Sequence, residues 1–236
     1  MAIKAVLFDL DGTLLPMDQD RFIKLYFAGL TEYMTAFGYE PKEFMAAMWH
    51  SVKAMMKNDG GEINERVFWR EFEGIYGDRA VSDRSRIDDF YKDQFKKTKA
   101  ACFYTERAKE TVELVKSLGL RAVLATNPVF PRVATECRIG WSGCSVSDFE
   151  LVTTYENSSS SKPSASYYKE ILAKLDLLPE ECIMVGNDTR DDMSAEAVGM
   201  RVFLLTDCLI NEAQEDISKY PHGSFDELLD YLKNTK

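Results

Sequence analysis

Two aspartates, Asp9 and Asp11, stand two residues apart at the end of the apolar run in AVLFDLDGTLLP. Residues so spaced in an extended chain project to the same side. Two carboxylates that close raise each other's pKa unless a cation lies beside them. A second acidic group, Asp188, Asp191 and Asp192, comes shortly after the apolar run CIMVG. Between the two groups lie Thr126 and Asn127, after RAVLA, and Lys162, in SSSSKPSAS. Such a set of acids can hold a hard divalent cation, since these ions prefer carboxylate and carbonyl oxygens. A bound Mg²⁺ would relieve the crowding of charge, and Lys162 would add a further positive group.

The elements that must position these residues can be read from periodicity. Residues 3–8 form a short apolar run closed by the turn Asp11-Gly12-Thr13, which predicts a buried strand. Four apolar stripes at helical spacing follow: Phe22 to Phe37, Phe44 to Met55, Phe68 to Tyr76, and Ile87 to Phe95. They predict amphipathic helices. Beyond residue 105 the pattern alternates. Helices are expected at ERAKETVELVKSLG and over 129–138, 165–175 and 191–198; strands are expected at LRAVLAT, ELVTT, CIMVG and MRVFLL. The capping box Ser224-Phe-Asp-Glu227 opens a last helix. Alternation of this kind implies an α/β fold, a Rossmann-like three-layer core with a parallel sheet and helices on both faces.

The layout divides into a core, residues 1–16 and 100–236, and a smaller α-helical bundle, residues 17–99. Ordinary strand-to-helix loops run about 2–6 residues, so an insertion of this length reads as a domain. Met17 to Arg21 and Thr98 to Cys102 would form its hinges. Gly60-Gly61 is either a tip loop facing the site or an ordinary helix–helix turn. Asp9 and Asp11, Thr126 and Asn127, Lys162, and Asp188, Asp191 and Asp192 all fall at the carboxyl ends of strands or in loops on that edge. Open parallel sheets bind ligands there, and four loops can converge on one point.

Bulk properties narrow the partners. A formal charge of -10 over 236 residues disfavours nucleic acid. No run is long enough to span a bilayer, so no membrane partner is expected. Asp9 and Asp11 interrupt the apolar start before it reaches the length of a signal peptide. Cys102, Cys137, Cys144, Cys182 and Cys208 are widely spaced without a CxxC pair, which argues against a zinc site or disulfide framework and suggests a cytoplasmic, reducing compartment.

The four segments LFDLDGTLL, LATNP, SKPSASYY and VGNDTRDDMSAEAVGM stand in the order of the motifs of the haloacid dehalogenase superfamily, which this chain resembles. The resemblance implies Asp9 as nucleophile and Asp11 as general acid/base. It implies Thr126 and Lys162 as phosphoryl-contacting and charge-balancing groups, with Gly12, Thr13 and Asn127 also around the phosphate. Asp9, Asp11, Asp188 and Asp192 would form the metal site. One feature departs from the common pattern: Asn187 stands between Gly186 and the first acid of the fourth motif. An aspartate at position 11 points to phosphate esters rather than carbon–halogen bonds. A helical insertion between the first and second motifs resembles the family's α-helical cap. The implied protein is a Mg²⁺-dependent phosphatase of a small phosphorylated metabolite, monomer or homodimer, working through an aspartyl-phosphate on Asp9. A phosphomutase, or a non-catalytic binding protein, would use the same core.

Overall fold

The computed structural model describes residues 2–235. Its centre is a five-stranded parallel sheet in the order β2-β1-β3-β4-β5, with β1 Ala5–Phe8, β2 Arg121–Leu124, β3 Cys182–Gly186, β4 Arg201–Leu205 and β5 His222–Gly223. Every residue of β1 is fully buried. Alternate residues serve opposite faces, as the strand period requires. Val6, Phe8, Leu124, Ile183 and Val185 join one apolar cluster. Ala5, Leu7, Val123, Met184 and Leu204 join another, beneath Tyr167, Tyr168 and Ile171. A sheet covered on both faces explains why its strands read as continuous apolar runs.

The helices α1 Gln19–Thr35, α2 Pro41–Met56, α3 Asn64–Tyr76 and α4 Asp78–Lys92 follow β1, with a 3₁₀ segment Gln94–Ala101 completing the insertion. Asp18 caps α1 by accepting from the Arg21 amide at 3.0 Å, and Glu40 with Pro41 opens α2. Their apolar stripes meet in an aromatic core: Phe44 and Phe72 pack edge to face at 6.0 Å, as do Phe22 and Phe95 at 6.1 Å. These residues are continuous with the cluster on one face of the sheet, so the helical segment shares its core with the sheet. The chain enters and leaves it along paired strands of backbone. Asp18 N donates to Ala101 O at 3.0 Å and Phe103 N to Pro16 O at 2.7 Å.

The remaining helices are α5 Glu106–Ser117, α6 Arg132–Trp141, α7 Ala165–Leu175 and α8 Phe225–Asn234. Three expectations need correction. The segment ELVTT runs beside β2 and bonds to it, yet forms a single bridge, Leu124 to Val152. The Thr153 hydroxyl turns to the Thr126 carbonyl at 2.7 Å, and Asn157 accepts from the Thr154 amide at 2.8 Å, so side chains compete with the ladder. The helix expected over 191–198 is a 3₁₀ segment, Met193–Val198, closed at Gly199. The helix expected over 129–138 starts later, after Pro131. Among the described residues no helix is long and apolar enough to cross a membrane.

Candidate active site

Strand order reverses between β1 and β3: the chain passes from β1 to β2 on one side, then returns to β3 on the other. The loops after such a pair diverge and leave a crevice at the carboxyl edge. Asp9 and Asp11 follow β1, and Asp188 follows β3. They line one cavity of about 80 Å³ together with Thr126, Asn127, Lys162, Asp191 and Asp192. Loops far apart in sequence therefore do converge.

Lys162 organises the floor. Its ammonium, buried with the rest of the side chain, donates to Asp9 Oδ1 at 2.7 Å and to Asp192 Oδ1 at 2.6 Å. Burial opposes its charge, but the carboxylates of Asp192 and Asp9 hold its pKa well above the ordinary lysine value. Burial pushes the Asp192 carboxyl up to about 7; Lys162 pulls against this rise and the Asp9 charge adds to it. Asp192 Oδ2 also accepts from the Asp188 amide at 3.0 Å. Gly186 makes room for this carboxylate, since a Cβ there would lie 2.1 Å from it.

Asp11 points elsewhere. Its Oδ2 pairs with the guanidinium of Arg138, a fully buried side chain from α6 that lies 4.4 Å from the Phe130 ring centroid. Burial raises the Asp11 pKa, the Arg138 charge counters it, and the Asp9 charge adds to the rise. Asp11 Oδ1 is buried without a hydrogen-bond partner. Arg138 was not singled out from the sequence, although a signal exists: it stands four residues after Ala134 and beside Ile139, on the buried stripe of α6. A charged residue on an apolar helix face calls for a partner.

The other predicted residues take varied positions. Thr126 lines the cavity, and its carbonyl accepts from the Tyr167 hydroxyl at 2.8 Å. Asn127 donates to Asp191 Oδ2 at 3.2 Å. Asp188 Oδ1 accepts from the amides of Arg190 and Asp191 at 2.8 and 3.0 Å. Gly12 and Thr13 are outside the cavity lining. The Thr13 hydroxyl donates to Asn187 Oδ1 at 2.9 Å and reaches Asp9 Oδ2 at 3.3 Å. Gly12 has φ +84°, and a Cβ would sit 2.4 Å from Asn187 Nδ2. The inserted Asn187 thus braces the turn after β1, and its Nδ2 donates to Cys208 O at 2.7 Å. Gly60-Gly61 does not line the cavity; the turn lies beside the serine run, with Asp59 bridged to Ser160.

The four acids expected to bind metal do not form one chelating group. Among the described residues no cluster of three or more His, Cys, Asp or Glu is arranged to hold a metal ion. Lys162 stands between Asp9 and Asp192 and pairs with both. The chemistry of the remaining donors nevertheless suits a hard cation: Asp9, Asp188 and the Asp11 main chain offer oxygens only. The unpartnered Asp11 Oδ1 and the excess of carboxylates over Lys162 and Arg138 leave negative charge to be balanced.

Residues 3–199 match the family model of haloacid dehalogenase-like hydrolases. The chain belongs to that family. It is 28% identical over 224 residues to a ribulose-1,5-bisphosphate 5-phosphatase of Halopiger xanaduensis, covering 91% of this chain and 90% of the relative. It is 24% identical over 234 residues to the pyrophosphatase PpaX of Bacillus mycoides, covering 98% and 96%. A crystal structure of a phosphatase of the family from Thermococcus onnurineus superposes with a TM-score of 0.60 at 17% identity, over 99% of both chains. That likeness establishes the shared fold. This member of the family is therefore a hydrolase on a parallel-sheet core.

Proposed function

We propose that the chain is a Mg²⁺-dependent phosphatase of a small phosphomonoester, with Asp9 as nucleophile and Asp11 as general acid/base. One observation carries this reading. Asp9 and Asp11 border the same cavity, yet each has its own cation: Lys162 for Asp9 and Arg138 for Asp11. Neighbouring carboxylates in different environments can take different tasks. The two named relatives, a bisphosphate phosphatase and a pyrophosphatase, support phosphate as the group acted on.

In the first step an Asp9 oxygen attacks phosphorus, the bond from phosphorus to the leaving oxygen breaks, and Asp11 gives that oxygen a proton. Oδ1, the Asp11 oxygen outside the ion pair, is the one suited to carry it. In the second step water gives a proton to Asp11 and attacks phosphorus, the bond to Asp9 breaks, and phosphate leaves. Mg²⁺ held by Asp9, Asp188 and the Asp11 carbonyl would supply charge that offsets the phosphoryl oxygens. Lys162 holds Asp9 in line and adds positive charge beside the phosphoryl group, and Thr126 contributes a hydroxyl at the cavity wall. Asp192, whose Oδ1 accepts from Lys162, serves as counter-ion to that ammonium beside the acids that would hold the metal.

Phosphate release from a panel of esters, with Mg²⁺ and after chelation, tests the proposal. Asp9→Asn is expected to lower release by about 10⁴-fold or more, with unchanged far-UV circular dichroism. Release that persists in Asp9→Asn would remove Asp9 as the nucleophile. Isomerised sugar phosphate without free phosphate would favour a mutase instead.

A further inference from the structure

A second cavity, of about 310 Å³, opens beside the first, and the two share Asp11, Gln19, Asn127 and Asp191. Its walls come from the helical insertion and from the segment after β2. Phe22 and Phe27 on α1, Trp49 and Val52 on α2, and Val129 and Phe130 of the core line it. Trp49 stacks on Phe27 at 4.5 Å with the rings 23° apart, and Phe130 meets Phe22 edge to face at 6.2 Å. The volume lies at the low end of small-molecule sites, and the lining has their usual apolar character.

The charges around this cavity are of one sign. Asp11 and Asp191 border it, and no Lys, Arg or His does. The Arg138 guanidinium lies against the Phe130 ring, is fully buried and is paired with Asp11. The Tyr26 hydroxyl is shared with the Tyr91 hydroxyl at 2.6 Å. Beside Asp11 Oδ1, Asn127 Oδ1 is also buried without a partner, in the wall the two cavities share. Asn127 Oδ1 can accept a hydrogen bond from a hydroxyl or amine.

We propose that this cavity is the leaving-group subsite, and that it takes an uncharged aryl or alkyl group rather than a second phosphate. The assignment rests on the phosphatase reading, because the shared wall places the organic part of an ester here when its phosphorus lies against Asp9. A second phosphate would meet Asp11 and Asp191 in an apolar surround with no cation to pair with, and burying such a charge unpaired is strongly unfavourable. A ring would lie against Trp49, Phe27 and Phe130. The preferred substrate class thus differs from that of the two named relatives, whose names specify a bisphosphate and pyrophosphate.

Calorimetric titration of the full chain with non-hydrolysable phosphonates in Mg²⁺ tests this apart from turnover. Benzylphosphonate is expected to bind about ten-fold or more tightly than methylphosphonate, and butane-1,4-diphosphonate more weakly than butylphosphonate. Trp49→Lys, at a side chain that is 38% exposed and so tolerant of change, should erase the benzyl advantage and reverse the butyl order. Benzyl- and methylphosphonate binding alike, or the diphosphonate binding as tightly as butylphosphonate in the unaltered protein, overturns the subsite. The expected ranking in a protein that releases no phosphate from any ester would uphold the subsite while removing the phosphatase reading.

Discussion

The floor and the roof of the cleft are held by different forces. On the floor, Lys162 is almost fully buried and stands between Asp9 and Asp192, at 2.7 and 2.6 Å. Under the roof, Phe27 stacks on Trp49 and Phe130 meets Phe22 edge to face, and Trp49 keeps 38% of its surface exposed. A buried ion network has little tolerance, because removing one member leaves the others charged and unsolvated. An apolar wall changes in proportion to the area it loses. The first arrangement suits a reaction common to a whole family, and the second suits a substrate preference that can differ between its members.

The strongest way to break this contrast is at Lys162. Lys162→Met keeps the length of the side chain and removes the charge, leaving Asp9 and Asp192 buried beside each other. A stability loss of about 3–5 kcal/mol is expected, read as a shift of the urea midpoint at constant slope. Adding Asp192→Asn removes one of the stranded charges and should restore a good part of that loss. A single variant within about 1 kcal/mol of the unaltered protein would show that the floor is not held by this pair.

The seam between floor and roof is sharpened at Arg138, whose guanidinium pairs with Asp11 on one side and packs on Phe130 on the other. Arg138→Met leaves Asp11 without its cation. If Arg138 positions the proton donor, the loss depends on how much the leaving group needs a proton. Hydrolysis of an alkyl phosphate should fall about ten- to a hundred-fold more than that of p-nitrophenyl phosphate, whose leaving oxygen departs without protonation. An equal loss on both esters would mean that Arg138 acts only through packing.

Much of the floor could be read in the sequence, because its residues sit at strand ends. Asp9, Thr126 and Asp188 each follow an apolar run, and parallel strands bring such ends to one edge. Lys162 falls in a loop on the same edge, ahead of the helix that carries Tyr168. The partners of these groups were harder to see. Arg138 follows Ala134 by about one helical turn, but its partner Asp11 is visible only once α6 is packed against the turn after β1. The pairing of Asp192 with Lys162 leaves no mark in the sequence, and Asn187 reads as an insertion until its side-chain amide is found bracing Gly12 and Thr13. In each case the deciding contact joins segments far apart in the chain, such as Asp11 with Arg138. Periodicity identified the helices of the roof, but which of their aromatic residues face the cavity depends on how the insertion lies on the sheet. The ELVTT segment shows the opposite error, where β-prone residues gave only one bridge because Thr153 and Asn157 spend their polar groups on nearby backbone.

The smallest expected effect lies where roof meets floor away from the chemistry. Asn64, at the start of α3, is fully buried. Its Nδ2 donates to Pro128 O at 3.1 Å and Ser160 O at 3.3 Å, and its Oδ1 accepts from Asn58 at 2.8 Å. The amides of Asn64 and Glu65 donate to Ser158 O and Tyr155 O, both at 2.8 Å. The first free amides of a helix are therefore satisfied by carbonyls of the core, and the side chain ties the insertion to two core loops at once. Asn64→Ala removes the side-chain bonds and keeps the amides. The carbonyls of Pro128 and Ser160 would then lose a partner in a dry site, costing about 1–3 kcal/mol. If the insertion closes as a unit, amide exchange should quicken across α2 and α3 while β1 and β3 keep their protection. Exchange that quickens equally in the sheet would instead show that roof and floor unfold together, as their shared apolar cluster allows.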